Sequence, residues 1–441
     1  MKKTLATAIM ISLTGNVFPV FNIAAIAGLF LLFFAYRDQG SLHPSQYGPH
    51  WAKRFLFAAY VFWLLSYVIT GAPFSNLLSY DFLRFDGALL IAYLPLLLLT
   101  DIRLDPIFIR RTLGLFLTVM SIIALLGLAE FVDNTLVPLG LSRLPEPLQL
   151  LHNASLSTDI FQGFFRAHNA AGAIYAMSSC TAFSLLVLAR NPSLISWPAL
   201  WLCANVIGVV LTQSRTAYVA FLATLVCVFL RRGFLMNFVK IGSFVLLPLL
   251  YLLLIQPVVT KRTEAVANSE DPNIVLRFYY YGRALEDFVQ SPIIGTGFGR
   301  FNDDLKIYSG IPHLFYIATG GAVVNDDSHA HNSYLHFLAE GGIVGLTLML
   351  GIWLATLRWL VLVKDSFKQD SFGWMFAHGV QACVVLELFM SLTEHMMGTA
   401  VSSLTVFTMV GMLLNLVGWK YRLASLLKAV PVYTLPDQPI A

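Results

Sequence analysis

The stretch Trp197–Leu230 decides the class of fold; it reads "WPALWLCANVIGVVLTQSRTAYVAFLATLVCVFL". Arg215 is the only charged residue among its 34 residues. As one α-helix the stretch would be roughly 50 Å long at about 1.5 Å per residue, whereas the hydrocarbon core of a bilayer is about 30 Å thick. We therefore expect two membrane helices joined by a turn near "QSRT", residues 213–216.

The composition of the whole chain also indicates a membrane protein. Of its 441 residues, 57% are hydrophobic and 12% are charged, and the mean hydropathy is +0.73, which is typical of polytopic membrane proteins. The chain is thus predicted to be an all-α polytopic membrane protein with about 12 transmembrane helices in a single membrane domain, 1–441. The candidate spans lie at about 5–17, 20–36, 55–71, 86–100, 112–132, 167–189, 197–212, 217–230, 241–257, 341–361, 373–391 and 401–419.

The distribution of Lys and Arg predicts the orientation in the membrane. With both termini inside, the inner loops and the termini collect 18 of the 28 basic residues, as the positive-inside rule requires. The segment 258–336, between predicted helices 9 and 10, then forms one large outer loop. The Pro-rich end of the chain, 429–441, is predicted to be disordered.

The outer loop is predicted to contain an amphipathic helix at the membrane surface, because apolar residues recur at helical spacing in "IVLRFYYYGRALEDFVQ". The stripe consists of Val275, Phe278, Tyr279, Ala284, Leu285, Phe288 and Val289. Arg277 and Arg283 differ by about 120° in direction on this helix, so at most one is expected to face a given small target. The "GTGFG" at 295–299 lacks the strand-to-helix context of a phosphate-binding loop and is interpreted as a tight turn.

The stretch "DSHAHNSYLHFLAEGGIVG", residues 327–345, places three histidines and two carboxylates in front of a long apolar helix. The polar residues at 327–328 are expected to cap a helix that begins near His329. On that helix His331 would share the inward apolar face, and His336 would point about 140° away. At the positive end of the helix dipole, His331 is expected to stay neutral and able to accept a proton.

Each of these polar positions also has a structural interpretation. Arg215 either snorkels to the interface or binds an anion, because a guanidinium offers a fork of donors to phosphate oxygens. The histidines are either satisfied structural residues or a proton-accepting site. A metal cluster of His329 and His331 with Asp326 and Asp327 remains an alternative, but no metal and no cofactor is predicted.

Four segments together resemble the bacterial O-antigen ligase and O-antigen polymerase superfamily over roughly residues 160 to 400. They are "GFFRAHNAAGAIYA" at 163–176, "LTQSRTAYVAFL", "RFYYYGRALEDFVQSPIIGTGFGRF" and "HAHNSYLHFLAEGGIVG". Ligases carry a His-[Asn/Ser/Gln]-x9-Gly-x-x-[Gly/Thr/Tyr] pattern. His331, Asn332, Gly342 and Gly345 fit this pattern without a gap.

The resemblance implies a glycosyltransferase of the bacterial inner membrane whose active site faces the periplasm. Membrane lipids are among its expected partners, and nucleic acid is not. Ligases transfer O-antigen polysaccharide from undecaprenyl pyrophosphate to the lipid A-core without a metal ion. By position, the resemblance assigns His331 as the catalytic histidine and Arg215 as a pyrophosphate-binding residue. Arg277, or its neighbour Arg283, would be the second such arginine. Direct attack would invert the anomeric centre, and a covalent glycosyl-histidine is the alternative.

The sequence is also compatible with three other functions. An O-antigen polymerase commonly has two sizeable outer loops, whereas the outer loop here at about 133–166 is less than half the length of the other. A protein O-oligosaccharyltransferase usually has more soluble sequence at its C-terminus. A transporter would place ionisable residues near the bilayer midplane, where only Glu130 and Glu387 are candidates.

The predicted orientation can be tested with a reporter fused at Asn325. A periplasmic reporter such as alkaline phosphatase is expected to be active there, because the basic residues place segment 258–336 outside. The measurement is enzyme activity in whole cells, with a fusion at Arg232 as the inside control. A fusion at Asn325 that is active only as a cytoplasmic reporter contradicts the orientation.

Overall fold

A computed structural model describes residues 48–70, 92–99, 104–135, 168–190, 195–230, 272–301, 329–398 and 400–429, with positions 193 and 239. All regular secondary structure in these residues is α-helical. The helices are α1 (His50–Ile69), α2 (Leu94–Leu98), α3 (Pro106–Thr135), α4 (His168–Val187), α5 (Trp197–Leu211), α6 (Arg215–Phe229), α7 (Pro272–Gln290), α8 (Ser333–Lys364), α9 (Phe372–Met390) and α10 (Ala400–Ala429).

Six of the described helices are long and apolar enough to cross a membrane, namely α1, α3, α4, α8, α9 and α10. Two more, α5 and α6, are apolar but shorter. This architecture agrees with the predicted all-helical polytopic membrane protein. The predicted spans at 5–17, 20–36 and 241–257 and most of the tail 429–441 lie outside the described residues, so the number of twelve spans stays a prediction.

The long apolar stretch breaks where the sequence predicts. Helix α5 ends at Leu211 and α6 begins at Arg215. Ser214 is the N-cap of α6, and its hydroxyl accepts a hydrogen bond from the Ala217 N–H at 3.3 Å, which satisfies one of the free donors at a helix start. The predicted turn near "QSRT" is therefore confirmed.

Helix α4 is the buried centre of the described bundle. Nearly all of its residues from Ala171 onward are buried, and it packs against α5, α6, α9 and α10. Small side chains allow these close approaches. A Cβ atom on Gly172 would lie 2.8 Å from that of Ala217 and 3.1 Å from that of Ser214. This packing brings the start of α4 beside the start of α6.

Helix α8 is interrupted one third of the way along, at Gly342, whose φ is 58° and ψ is −159°. The break leaves helix carbonyls and N–H groups without partners inside the helix, and the loop 291–301 supplies them. Thr296 and Gly297 donate to the carbonyls of Ala339 and Glu340 at 2.9 and 3.0 Å. Beyond the break, the N–H groups of residues 343 and 344 donate to the carbonyls of residues 292 and 293.

The "GTGFG" segment is thus a tight turn, as predicted, and it is docked against the break in α8. Gly295 has a φ of 70°, and a Cβ atom there would overlap the backbone of Glu340. A Cβ atom on Gly342 would overlap the backbone of Ile293 in the same way. Gly345, the last position of the family pattern, faces Trp63 and Phe62 of α1, which a Cβ atom would approach to 3.2 and 3.3 Å.

The predicted amphipathic helix is present as α7, but among the stripe residues with described side chains only Ala284 is buried, and most of the others do not pack on the protein. The side chains of Tyr280, Ala284 and Asp287 are buried, and α7 packs against α8. Phe278, Leu285 and Val289 are exposed. Their exposure is compatible with a helix at a lipid surface, although the location of segment 258–336 in the periplasm stays a prediction.

We predict that Gly342→Ala destabilises the protein, because alanine is strained at a positive φ and its methyl group meets the loop backbone. The cost is expected to exceed about 1 kcal/mol. Gly282→Ala is the matched control, since that glycine lies in α7 with nothing within 4 Å of a Cβ atom and should gain roughly 0.5–1 kcal/mol in helix stability. Thermal unfolding of the detergent-solubilised variants measures both, and equal midpoints would contradict the assigned role of the break.

Candidate functional site

His331 lies just before α8, in a backbone conformation that few residues other than glycine adopt. Its φ is 47°, and its ring stacks on Tyr280 of α7 with 5.7 Å between the ring centroids. The Tyr281 hydroxyl donates to the His331 carbonyl at 3.4 Å. An uncommon backbone conformation held by neighbouring groups is frequent at functional sites.

The predicted start of this helix is wrong by four residues. Helix α8 begins at Ser333 rather than near His329, because Asn332 is its N-cap and accepts from the Leu335 N–H at 3.0 Å. The Asn332 amide also donates to the Leu392 carbonyl at 2.8 Å. Asn332 therefore ties the start of α8 to the segment after α9, and His331 projects from outside the helix.

Glu394, which follows α9, is the residue on which the site converges. Its Oε2 lies 3.3 Å from Nδ1 of His331. Its Oε1 accepts from the Asn169 amide at 2.6 Å and is paired with the guanidinium of Arg277. We call these four residues, Asn169, Arg277, His331 and Glu394, the Glu394 cluster.

The residues on either side of Arg215 in the chain contact this cluster or the residue next to Glu394. The Ser214 hydroxyl donates to Oδ1 of Asn169 at 2.7 Å, and the hydroxyls of Thr216 and Thr393 are 2.9 Å apart. Arg215, between Ser214 and Thr216, is exposed at the first position of α6. Helices α4, α6 and α8 thus begin, and α9 ends, at one end of the bundle.

The two candidate arginines of α7 lie in different surroundings. Arg277 contacts Glu394, and 30% of its side chain is exposed. Arg283 is buried and pairs with Asp287, one turn along the same helix, at 2.8 Å. The structure therefore brings Arg277 to His331 through a shared carboxylate and places Arg283 in an ion pair within α7.

A second group of histidines lies behind His331. Its members are His329, His336 and His395, and neighbouring rings in the group have centroids 4.0 to 5.3 Å apart. Nδ1 of His329 accepts from the His331 N–H at 3.1 Å. Desolvation, and after it the charge of the neighbouring histidines, lowers the pKa of His329 and of His395 well below the ordinary value. Both side chains are therefore neutral near pH 7.

His336 is buried, contrary to the expectation that it points away from the side chains that pack inward. Only 4% of the residue is exposed, because the loop 291–301 folds back over this side of α8. Nε2 of His336 lies 3.4 Å from Oε2 of Glu340, and the ring of Phe301 meets it edge-on at 5.3 Å. Glu340 also accepts from the Phe301 N–H at 3.2 Å.

The metal alternative drew partly on Asp326 and Asp327, which lie outside the described residues. Within the described ranges, no three His, Cys, Asp or Glu side chains are arranged to hold a metal ion.

The transporter alternative depends on two candidate intramembrane acids, Glu130 and Glu387. Glu387 accepts hydrogen bonds from the hydroxyls of Ser402 and Ser403 at 2.7 and 3.2 Å. The side chain of Glu130 is outside the described part.

Glu394 and Asn169 were not among the candidates drawn from the sequence. Asn169 belongs to the segment "GFFRAHNAAGAIYA". In the sequence, only the resemblance of this segment to the superfamily draws attention to it. Glu394 is an isolated acid in "SLTEHMMG", residues 391–398. The available signal was an acid and a histidine adjacent to each other at the end of a long apolar run.

The described helices and the Glu394 cluster define a helical membrane protein with a histidine, a carboxylate and an arginine in contact at one end of its bundle. Residues 198–350, about a third of the chain, match the family model described as O-antigen ligase, so this region is similar to that family. The family covers O-antigen ligases and polymerases. The matched region contains Arg215, Arg277, His331, Gly342 and Gly345. No curated protein is similar enough to match the chain.

We predict that His336→Ala destabilises the fold, because it opens a cavity and removes a partner of the buried Glu340. The expected cost is roughly 2–4 kcal/mol. His331→Ala is the matched control, since 29% of that side chain is exposed and Glu394 keeps Asn169 and Arg277 as partners, and its stability should change by less than about 1 kcal/mol. Thermal unfolding in detergent compares the two. An unchanged midpoint for His336→Ala would exclude a packing role.

Proposed function

We propose that this protein is an O-antigen ligase. It transfers O-antigen polysaccharide from undecaprenyl pyrophosphate to the lipid A-core on the periplasmic side of the inner membrane, without a metal ion. The observation that carries the proposal is the contact of Arg277 and His331 with one carboxylate, Glu394. A cation for the leaving group and a base for the acceptor thereby lie side by side.

His331 is the proposed general base. Nδ1 of its ring faces Oε2 of Glu394 at 3.3 Å. In this arrangement the Nδ1–H group donates a hydrogen bond to the carboxylate, and Nε2 keeps its lone pair. An acceptor sugar hydroxyl transfers its proton to Nε2 as its oxygen attacks the anomeric carbon. Glu394 stabilises the imidazolium that forms, as a buried carboxylate does beside a catalytic histidine.

Arg215 and Arg277 are the proposed pyrophosphate ligands. Breaking the bond from the anomeric carbon to the pyrophosphate oxygen leaves negative charge on undecaprenyl pyrophosphate, which fixed cations stabilise. Arg277 is favoured over Arg283 because it is partly exposed beside His331, whereas Arg283 is buried against Asp287. Direct attack in this arrangement inverts the anomeric centre, and no covalent intermediate on the protein is needed.

The position of the site fits a substrate that remains anchored in the bilayer. The Glu394 cluster lies at the starts of α4 and α8 and after the end of α9, at the end of candidate membrane spans. A lipid-linked pyrophosphate sits at this depth, between the hydrocarbon core and water. The exposed apolar side chains of α7 provide an adjacent surface for lipid.

The proposal predicts the fate of O-antigen in cells that lack the gene. Without the protein, all long-chain lipopolysaccharide should disappear and carrier-linked polymer should accumulate. A plasmid with the wild-type gene should restore transfer, and His331→Ala should restore about 10²- to 10⁴-fold less activity, the range that a general base contributes. Gel analysis of lipopolysaccharide, with an immunoblot for equal expression, measures both results.

The same gel separates the related functions. Core that carries a single O-unit after deletion identifies a polymerase, and normal lipopolysaccharide with altered glycoproteins identifies a protein O-oligosaccharyltransferase. Transfer by the purified protein in the presence of EDTA tests the metal-free mechanism, and loss of activity that added cation restores would refute it. Wild-type activity in His331→Ala would end the assignment of that residue as the base.

A further inference from the structure

The two carboxylate oxygens of Glu394 contact different functional side chains. Oε1 is paired with Arg277 and accepts from Asn169, while Oε2 faces His331. The exposure of the two charges differs, since 30% of the Arg277 side chain but only 6% of the Glu394 side chain is accessible. An anion that approaches from outside therefore reaches the arginine and not the carboxylate.

The pyrophosphate of a donor and the carboxylate of Glu394 would compete for the same guanidinium. A pyrophosphate carries more negative charge than one carboxylate and offers more oxygens to the fork of donors on arginine. Glu394 would keep the Asn169 amide and His331 as partners after the arginine turned away. The loss of the arginine is thus less costly for Glu394 than it would be for an otherwise unpaired buried carboxylate.

Resting on the proposed function, we infer that Arg277 exchanges partners during the reaction. It leaves Glu394 for the pyrophosphate of a polyprenyl-pyrophosphate donor, and of the three partners of Glu394 in the cluster only His331 and the neutral Asn169 amide then remain. Glu394 is a positioning residue in this scheme, since it touches neither the sugar nor the phosphate. The exchange links the strength of the base to the arrival of the donor.

The energetic consequence is a penalty on donor affinity. A ligand that binds only the fraction of molecules in a competent state has its affinity reduced by that fraction. If Arg277 is free of Glu394 in roughly one molecule in ten, the dissociation constant is raised about tenfold. Removing the charge of Glu394 should remove the penalty, even though it also removes the partner of the base.

The decisive variant is Glu394→Gln, which keeps the shape of the side chain. We expect it to bind farnesyl pyrophosphate about five to ten times more tightly than the wild type, while transfer at saturating lipid-linked donor falls at least about tenfold. Binding is measured by microscale thermophoresis on the full chain in detergent. A carboxylate that merely held Arg277 in place for phosphate would give the opposite change in affinity.

Two controls separate exchange from a general change of charge. Glu286→Gln removes an exposed carboxylate from the same helix as Arg277 and should change the affinity less than twofold. In an Arg277→Gln background, the tightening caused by Glu394→Gln should vanish. If Glu394→Gln still tightens farnesyl pyrophosphate binding in that background, the effect reflects repulsion between the Glu394 charge and the pyrophosphate. That result overturns the exchange.

The outcomes also separate this inference from the proposed function. If Arg277→Gln alone binds farnesyl pyrophosphate as the wild type does, Arg277 is not a pyrophosphate ligand and both proposals fail. If Arg277→Gln weakens binding but Glu394→Gln weakens it or leaves it unchanged, only the exchange is wrong. Should Glu394→Gln fail to fold, judged by gel filtration, Glu394→Asp replaces it, and its shorter carboxylate is expected to change affinity in the same direction.

Discussion

The site depends on the cost of burying one carboxylate at the edge of an apolar bundle. An ionised carboxylate in such surroundings must have hydrogen bonds and an opposite charge. Glu394 obtains them from parts of the chain that are far apart in sequence, since its partners are Asn169, Arg277 and His331. Satisfying this residue therefore requires the start of α4, helix α7 and the residue before α8 to meet at one point.

The break in α8 is what allows α7 to reach that point. An uninterrupted helix uses its carbonyls internally and offers no backbone partner to a loop. At Gly342 the helix opens, and the loop 291–301 forms backbone hydrogen bonds on both sides of the break. Since this loop directly follows α7, docking it at the break sets where α7 lies. Gly342 of the family pattern thus acts on the site through backbone geometry rather than by touching it.

The sequence predicts best the features that depend on local physics. Strong apolar periodicity and length located α3, α4, α9 and α10, and the excessive length of the stretch Trp197–Leu230 predicted its break at the Ser214 cap. The helix start at Ser333 was missed because Asn332 and the residues at 327–328 are all suitable caps. Only the contact of Asn332 with Leu392, a tertiary interaction, selects between them.

The burial of His336 and the role of Glu394 could not be predicted for a different reason. Helical direction fixed the angle between side chains, but the loop that covers His336 comes from 35 or more residues earlier in the chain. Glu394 gives no periodic signal, because a single acid after an apolar run is also a common helix terminus. The choice between Arg277 and Arg283 likewise depends on the rotation of α7 against α8. The structure makes the choice, because Arg283 is buried in an ion pair with Asp287.

In the proposed metal-free mechanism, the site needs cations that are both fixed in place and available to phosphate, and these requirements oppose each other. An arginine free in water is available, but it loses much conformational entropy when it binds. An arginine in a fully buried ion pair is fixed, but separating it from its partner leaves a charge that is costly to bury. Arg277 lies between these limits, since its partner is buried and has two other contacts while its own side chain is partly exposed. In the exchange that we infer, Glu394 holds this arginine in place and still releases it, because Asn169 and His331 remain as its partners.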